Sequence, residues 1–272
     1  MINALTFDVE EWFCTSNLEM FVPPREWGRA ISRIELSTKN ILDLLARHRV
    51  EATFFVLGWV AERHPDLIRE IHDRGHEIAT HGYSHTRLTA MTPDAFARDL
   101  DRAIGITESI TGAGIHGFRA PSFTITHSTL WAVDILKDRN FQYDSSVVPT
   151  GLHPDYGIPD APLTMYRHDN SLLEIPISCA EIAGRRVPCS GGAYFRFYPY
   201  ALTRRLIDRC HRRGYPVIFY LHTWEIDAET PRIPLPPLRA IRHYHNLEGT
   251  FAKLEQLLLD YRFTSIRTLI GI

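Results

Sequence analysis

The chain has 272 residues, 44% hydrophobic and 23% charged, enough for one large α/β core and ordinary for a globular protein. Its formal charge of −2, with Lys and Arg scattered, gives no electrostatic reason for nucleic acid or an anionic membrane as the main partner. No run approaches the roughly 18 apolar residues of a spanning helix. The opening MINALTFDVEEWF lacks a basic region followed by an apolar one, so a cytoplasmic protein is expected. Cys14, Cys179, Cys189 and Cys210 lack CxxC spacing and read as free thiols.

In chain order, residues 2–8 read as a first strand, and apolar residues at near-helical spacing predict a helix over 33–48. ATFFVLG (52–58) is a short buried strand, followed by a helix over 59–73 that stops at Gly75. HEIAT is the next strand, and Thr92-Pro93 opens a long amphipathic helix over 93–111. GFRAP (117–121) is a strand running into a loop, and 127–138 a helix. Pro and Gly break the rhythm over 145–200, which reads as an irregular insertion above the active face rather than a separate domain. A helix over 200–213, the strand VIFYLH (217–222), a helix over 247–260 and the strand FTSI complete the chain. Alternating strands and helices, with continuous apolar strands, imply a parallel sheet covered by helices. A distorted or incomplete β/α barrel in a single domain is the expected α/β fold, ahead of an open doubly wound sheet.

In such folds functional groups gather at the C-terminal ends of strands. Asp8, Glu10, His81, His85, Arg119, Asp144 and His222 all fall there. His81 and His85 are four apart, so one helical turn aims both imidazoles at one ion. Two His and a carboxylate are a common catalytic Zn²⁺ set with an open position for water. Asp8 and Glu10 share a face of an extended chain, one free to bind metal and the other to take a proton, while Glu11 points away. His222 ends an apolar strand as a candidate general acid, with Asp144 available to orient it. Trp12, Trp224 and the loop GGAYFRFYPY (191–200), which includes Tyr194, offer faces for a sugar. The glycines of that loop suit either close approach to a ligand or a plain turn. His243 and His245 read as surface residues, and Glu225 stands close enough in sequence to His222 to support it.

TFDVEEWF, HGYSH, FRAP, YDSS and YLH resemble, in order and spacing, the five motifs of the polysaccharide deacetylase family (NodB homology, carbohydrate esterase 4) over about residues 4–225. The 226–272 segment resembles a subgroup found with exopolysaccharide and exosortase gene clusters and is read as a subgroup-specific C-terminal extension. The resemblance implies a distorted (β/α)₇ barrel with Asp8 as general base and His81 and His85 as metal ligands. By the same carry-over Arg119 orients Asp8, Asp144 orients His222, and His222 is the general acid. The ion implied is one divalent metal, Zn²⁺ first, with Co²⁺, Ni²⁺ and Mn²⁺ as alternatives. Where the common first motif has a second, metal-binding Asp, this chain has Val9, and Glu10 is the replacement. Ser122 stands where Tyr is frequent, and the resemblance implies that its backbone N–H faces an oxyanion. The expected function is removal of N-acetyl groups from amino sugars of a glycan or its precursor. A metal-independent, allantoinase-like ureide hydrolase and a non-catalytic sugar-binding relative are the competing expectations.

Overall fold

The computed structural model describes residues 1–153 and 156–272. Strands β1 (Ile2–Val9), β2 (Thr53–Val56), β3 (Glu77–Thr80), β4 (Gly117–Phe118) and β5 (Tyr143–Asp144) run parallel side by side in that order. Beyond β5, β6 (Tyr166–Arg167) and β7 (Leu173–Glu174) extend the sheet, with β7 parallel to β5 and β6 antiparallel on the edge. β8 (Cys179–Ile182) and β9 (Arg185–Pro188) form a separate hairpin. β10 (Ile218–His222) pairs with one side of β1, and β11 (Arg262–Thr264) pairs with residues 2–4 of β1. The sheet curls without closing, as a distorted, incomplete (β/α)₇ barrel.

Helices α1 (Ile34–His48), α2 (Gly58–Arg63), α3 (Pro65–Asp73), α4 (Pro93–Thr111) and α5 (Trp131–Asp138) alternate with the first five strands. α6 (Gly192–Phe197), α7 (Tyr200–Arg212), α8 (Pro237–Tyr244), α9 (Leu247–Asp260) and α10 (Ile266–Ile270) follow. The helix expected over 59–73 is split by Pro65, which opens α3 where His64 leaves helical geometry. Four-residue spacing between Thr92 and Phe96 and the Thr92 side chain, accepting from Ala95 N, fix the start of α4 where the sequence places it.

Strand alternation sets the interior. Leu5, Phe7 and Val9 belong to the large core under the helices, whereas Ala4 joins Phe55, Ala79, Tyr143, Ile218 and Tyr220 in a smaller cluster. Thr6 and Asp8 share the parity of Ala4, so Asp8 is turned away from the helix-side core. The stretch 145–200 is not irregular throughout, since it supplies two sheet strands, the hairpin and α6; residues 154 and 155 lie outside the described residues. All four cysteines are buried free thiols.

Candidate active site and metal centre

Register places the two candidate proton-transfer groups side by side: Asp8 on β1 is the Cα partner of His222 on β10. The fully buried Arg119, following β4, donates from Nη1 to Asp8 Oδ1 at 2.7 Å and to Thr6 Oγ1 at 2.9 Å. Its Nε and Nη2 donate to the Ser145 carbonyl and hydroxyl, and its guanidinium lies 4.0 Å from the Phe55 ring centroid. With every arm of the fork held, Asp8 Oδ1 is fixed, while buried Oδ2 has no hydrogen-bond partner among the described residues.

Glu10, His81 and His85 bring one ligand atom each to within 4.8 Å of one another. His81 Nδ1 lies 2.8 Å from the Arg119 carbonyl, to which it donates, so the Nε2 lone pair is left for a cation. Burial first, then the charge of His85, pushes His81 down to about 3, which keeps it neutral. Burial would raise Glu10, but His85 and His222 draw it below its ordinary value. Glu10 Oε2 stands 2.6 Å from His85 Nε2 and 3.9 Å from His81 Nε2, yet it is buried without an aligned hydrogen bond. Donor atoms crowded this way fit a divalent cation between them. The loop carrying the histidines is not the helical turn expected from their spacing. Asp99 of α4 accepts from Tyr83 N at 2.7 Å and Ser84 N at 3.1 Å, and Gly82 has φ +72°, where a Cβ would meet Asp99 Oδ2 at 3.0 Å. Sequence reasoning missed Asp99, whose only signal is a carboxylate inside an amphipathic helix.

His222 does not meet Asp144. Its Nδ1 lies 2.9 Å from Glu225 Oε2, which also accepts from the His222 backbone N–H at 3.0 Å. The other oxygen, Oε1, accepts from Arg196 Nε at 2.7 Å. Arg196 then donates to the carbonyls of Arg242, His243 and His245, so a buried guanidinium ties the end of α8 to the His222 support. Burial opposes charge on His222, but Glu10, Glu225 and Asp8 hold it up at about 9. Glu225, despite burial, is held down at about 2 by Arg196 and His222. His222 Nε2 is left 3.9 Å from Asp8 Oδ2 and 3.7 Å from Glu10 Oε1.

Asp144 sits behind this rim. Its Oδ1 accepts the Ser146 hydroxyl, its buried Oδ2 has no hydrogen-bond partner among the described residues, and burial with the neighbouring Glu174 charge raises it well above its ordinary value. It stands at the sheet edge between β5 and β7, a place the sequence could not distinguish from the His222 side.

The pocket above these groups has a volume of about 520 Å³, and its lining includes Ser122, Tyr194, Trp224 and His243. Ser122 follows β4 with φ +54°, in a left-handed turn. Tyr194 and Tyr156 both stand on the wall. Trp224 is 4% exposed, sandwiched between His222 at 5.8 Å and His243 at 4.5 Å, with Nε1 3.4 Å from Glu10 Oε1. Trp12 is instead a core residue whose indole N–H donates to Ile31 O. His243 is 2% exposed rather than a surface residue, and burial pushes it down to about 3. Gly191, with φ +60°, lets the chain pass close against Tyr220 of β10, so its freedom serves packing and not a ligand. Arg196 gave no signal beyond a basic residue in an aromatic run.

The polysaccharide deacetylase family model matches residues 4–141, just over half of the chain. The chain belongs to the polysaccharide deacetylase family. Residues 145–271 match a second model, a domain of unknown function, DUF3473. A chitooligosaccharide deacetylase from Rhizobium leguminosarum bv. trifolii is 38% identical over 102 residues, 36% of this chain and 43% of that protein. A peptidoglycan-N-acetylglucosamine deacetylase from Bacillus cereus is 35% identical over 98 residues, 36% of each. The matched segments thus span less than half the length of these relatives. Among solved structures, a Mycobacterium smegmatis protein assigned to the polysaccharide deacetylases superposes with a TM-score of 0.67 at 22% identity, covering 98% of this chain and 88% of that one. A family 4 carbohydrate esterase pseudoenzyme from Bacillus anthracis superposes with a TM-score of 0.53 at 17% identity, covering 99% of this chain and 65% of that one. At these identities the likeness is one of fold.

Proposed function

We propose that the chain is a metal-dependent hydrolase that removes N-acetyl groups from amino sugars of an exopolysaccharide-type glycan or its precursor. The reading is carried by one observation: a fixed carboxylate (Asp8), a charged imidazole (His222) and a cation-shaped donor set (Glu10, His81, His85) converge on each other at the barrel rim. A divalent cation on that set supplies Lewis acidity to the acetyl carbonyl and makes water more acidic. Asp8 Oδ2, without a hydrogen-bond partner among the described residues, accepts the proton of the attacking water while Arg119 keeps the carboxylate aimed. The Ser122 turn receives the tetrahedral oxygen through its backbone N–H. His222 delivers the Nε2 proton to the departing sugar nitrogen, and Glu225 holds Nδ1–H so that this proton has one direction. Tyr194 and the edge of Trp224 bound the sugar in the pocket. Relatives named as chitooligosaccharide and peptidoglycan deacetylases support amino-sugar amides as the substrate class.

The test is acetate release from N-acetylglucosamine oligomers by wild type, Asp8→Asn and His222→Gln. Each substitution is expected to lower turnover by about 10²–10⁴-fold with the melting curve retained. Near-normal acetate release by folded Asp8→Asn overturns the assignment of roles. Ureide hydrolysis by metal-free wild type, without acetate release, makes the ureide reading the better one.

A further inference from the structure

The outer face of α8 carries Leu238, 83% exposed, and Ile241, 53% exposed, one turn apart. The neighbouring loop carries Met20, 80% exposed, and Phe21, 37% exposed. These segments are fastened to each other. Arg239 Nη1 donates to Asn17 O at 2.9 Å, Asn17 Nδ2 donates to Arg239 O at 3.2 Å, and the Arg239 guanidinium lies 5.6 Å from the Phe21 ring centroid. Single exposed apolar side chains are ordinary, but four on two joined segments make a patch.

Charge on the two segments has one sign in excess: three arginines stand on or just before α8, against Glu19 beside Met20, which is itself paired with Arg87 at 3.1 Å. Arg232, Arg239 and Arg242 have no carboxylate within ion-pair distance among the described residues. The whole-chain charge of −2 does not cancel this local field, because charges beyond a Debye length of about 10 Å are screened. Apolar knobs among guanidiniums match the boundary of an anionic bilayer, where side chains enter the acyl region and arginines meet headgroup phosphates.

We propose that this face docks on an anionic lipid surface, with α8 and the 17–21 loop seated in the headgroup layer. Asn17 and Arg242 also line the pocket, and Arg196 ties the end of α8 to Glu225, so docking sets the pocket mouth at the membrane. The proposal stands apart from the deacetylase reading, since it concerns binding and not turnover.

The experiment is co-sedimentation with equimolar phosphatidylglycerol–phosphatidylcholine vesicles and with pure phosphatidylcholine vesicles, at low and high salt. Wild type should pellet with the anionic vesicles, and salt should release it. Met20→Asp/Leu238→Asp should bind about tenfold more weakly, while Leu259→Asp, 65% exposed on α9, should bind as wild type does. No pelleting of wild type, or equal pelleting of the double variant, overturns the proposal. So does a concentration-dependent dimer in light scattering that Met20→Asp/Leu238→Asp disperses while vesicle binding is absent, since the patch is then a self-association surface.

Discussion

Glu225→Gln takes one negative charge out of a buried chain that runs from Arg196 through Glu225 to His222, at 2.7 and 2.9 Å. The amide keeps the shape but supplies only one acceptor oxygen for what had been three donors: Arg196 Nε, His222 N and His222 Nδ1. A hydrogen bond to a charged partner contributes about 1.5–3 kcal/mol, so losing it at the acid during proton transfer slows kcat about 10- to 150-fold. Glu10 is the first of the charges that hold His222 up at about 9, and Glu225 is the second. Without Glu225, His222 releases its proton at lower pH, and the alkaline limb of kcat moves toward neutrality. KM should change little, because Glu225 reaches substrate only through His222. The assay is steady-state acetate release from about pH 5 to 10 with thermal melting beside it, and it reads the direction of the shift, because a cation on Glu10 would take up the first of those charges. Arg196 retains its three carbonyl partners, yet a one-sided buried charge still costs about 3–5 kcal/mol, so a lower Tm is expected. A folded Glu225→Gln enzyme with wild-type kcat and an unmoved alkaline limb refutes the reasoning.

Asp144→Asn should leave acetate release within about twofold of wild type, because Asp144 bonds Ser146 at the sheet edge, while His222 is held by Glu225. Glu174 is raised by burial from 4.5 to about 7, so the native state holds a proton that the unfolded chain has released over that interval. Its contribution to stability is therefore full below about pH 4.5 and is lost as pH rises to about 7, by up to about 3 kcal/mol; Glu174→Gln should flatten that decline in Tm. Gly191→Ala forces a Cβ at φ +60° against the Tyr220 backbone and should destabilise by more than about 1 kcal/mol in chemical denaturation.

Much of this architecture was legible because period and punctuation agree. The bounds of α4 and α9 follow from Pro93 and from helical spacing, and β2 and β10 from short apolar runs. The grouping of Asp8, Glu10, His81, His85 and His222 at the rim was legible for a related reason: Asp8 and His222 stand at the ends of paired strands, and Glu10, His81 and His85 follow the ends of β1 and β3. Asp144 ends a strand as the rim residues do, but strand-end position says nothing about which neighbour a side chain meets, and His222 meets Glu225 instead. The curl of the sheet carries β5 to β7 and away from β10. Arg196, Asp99 and His243 act through contacts 29, 15 to 16, and 19 residues away or more along the chain, and local pattern holds no record of them. The short strands of 166–188 escaped because pairs of two and four residues are too brief to show a period.

The most direct test of the central reading is metal content by mass spectrometry on purified wild type and His81→Ala, with acetate release from N-acetylglucosamine oligomers measured on the same samples. Expected is about one divalent metal per wild-type chain, lost together with acetate release in His81→Ala while the melting curve persists. A folded wild type that binds no divalent metal when it is supplied, or a His81→Ala enzyme that keeps both metal and acetate release, contradicts it.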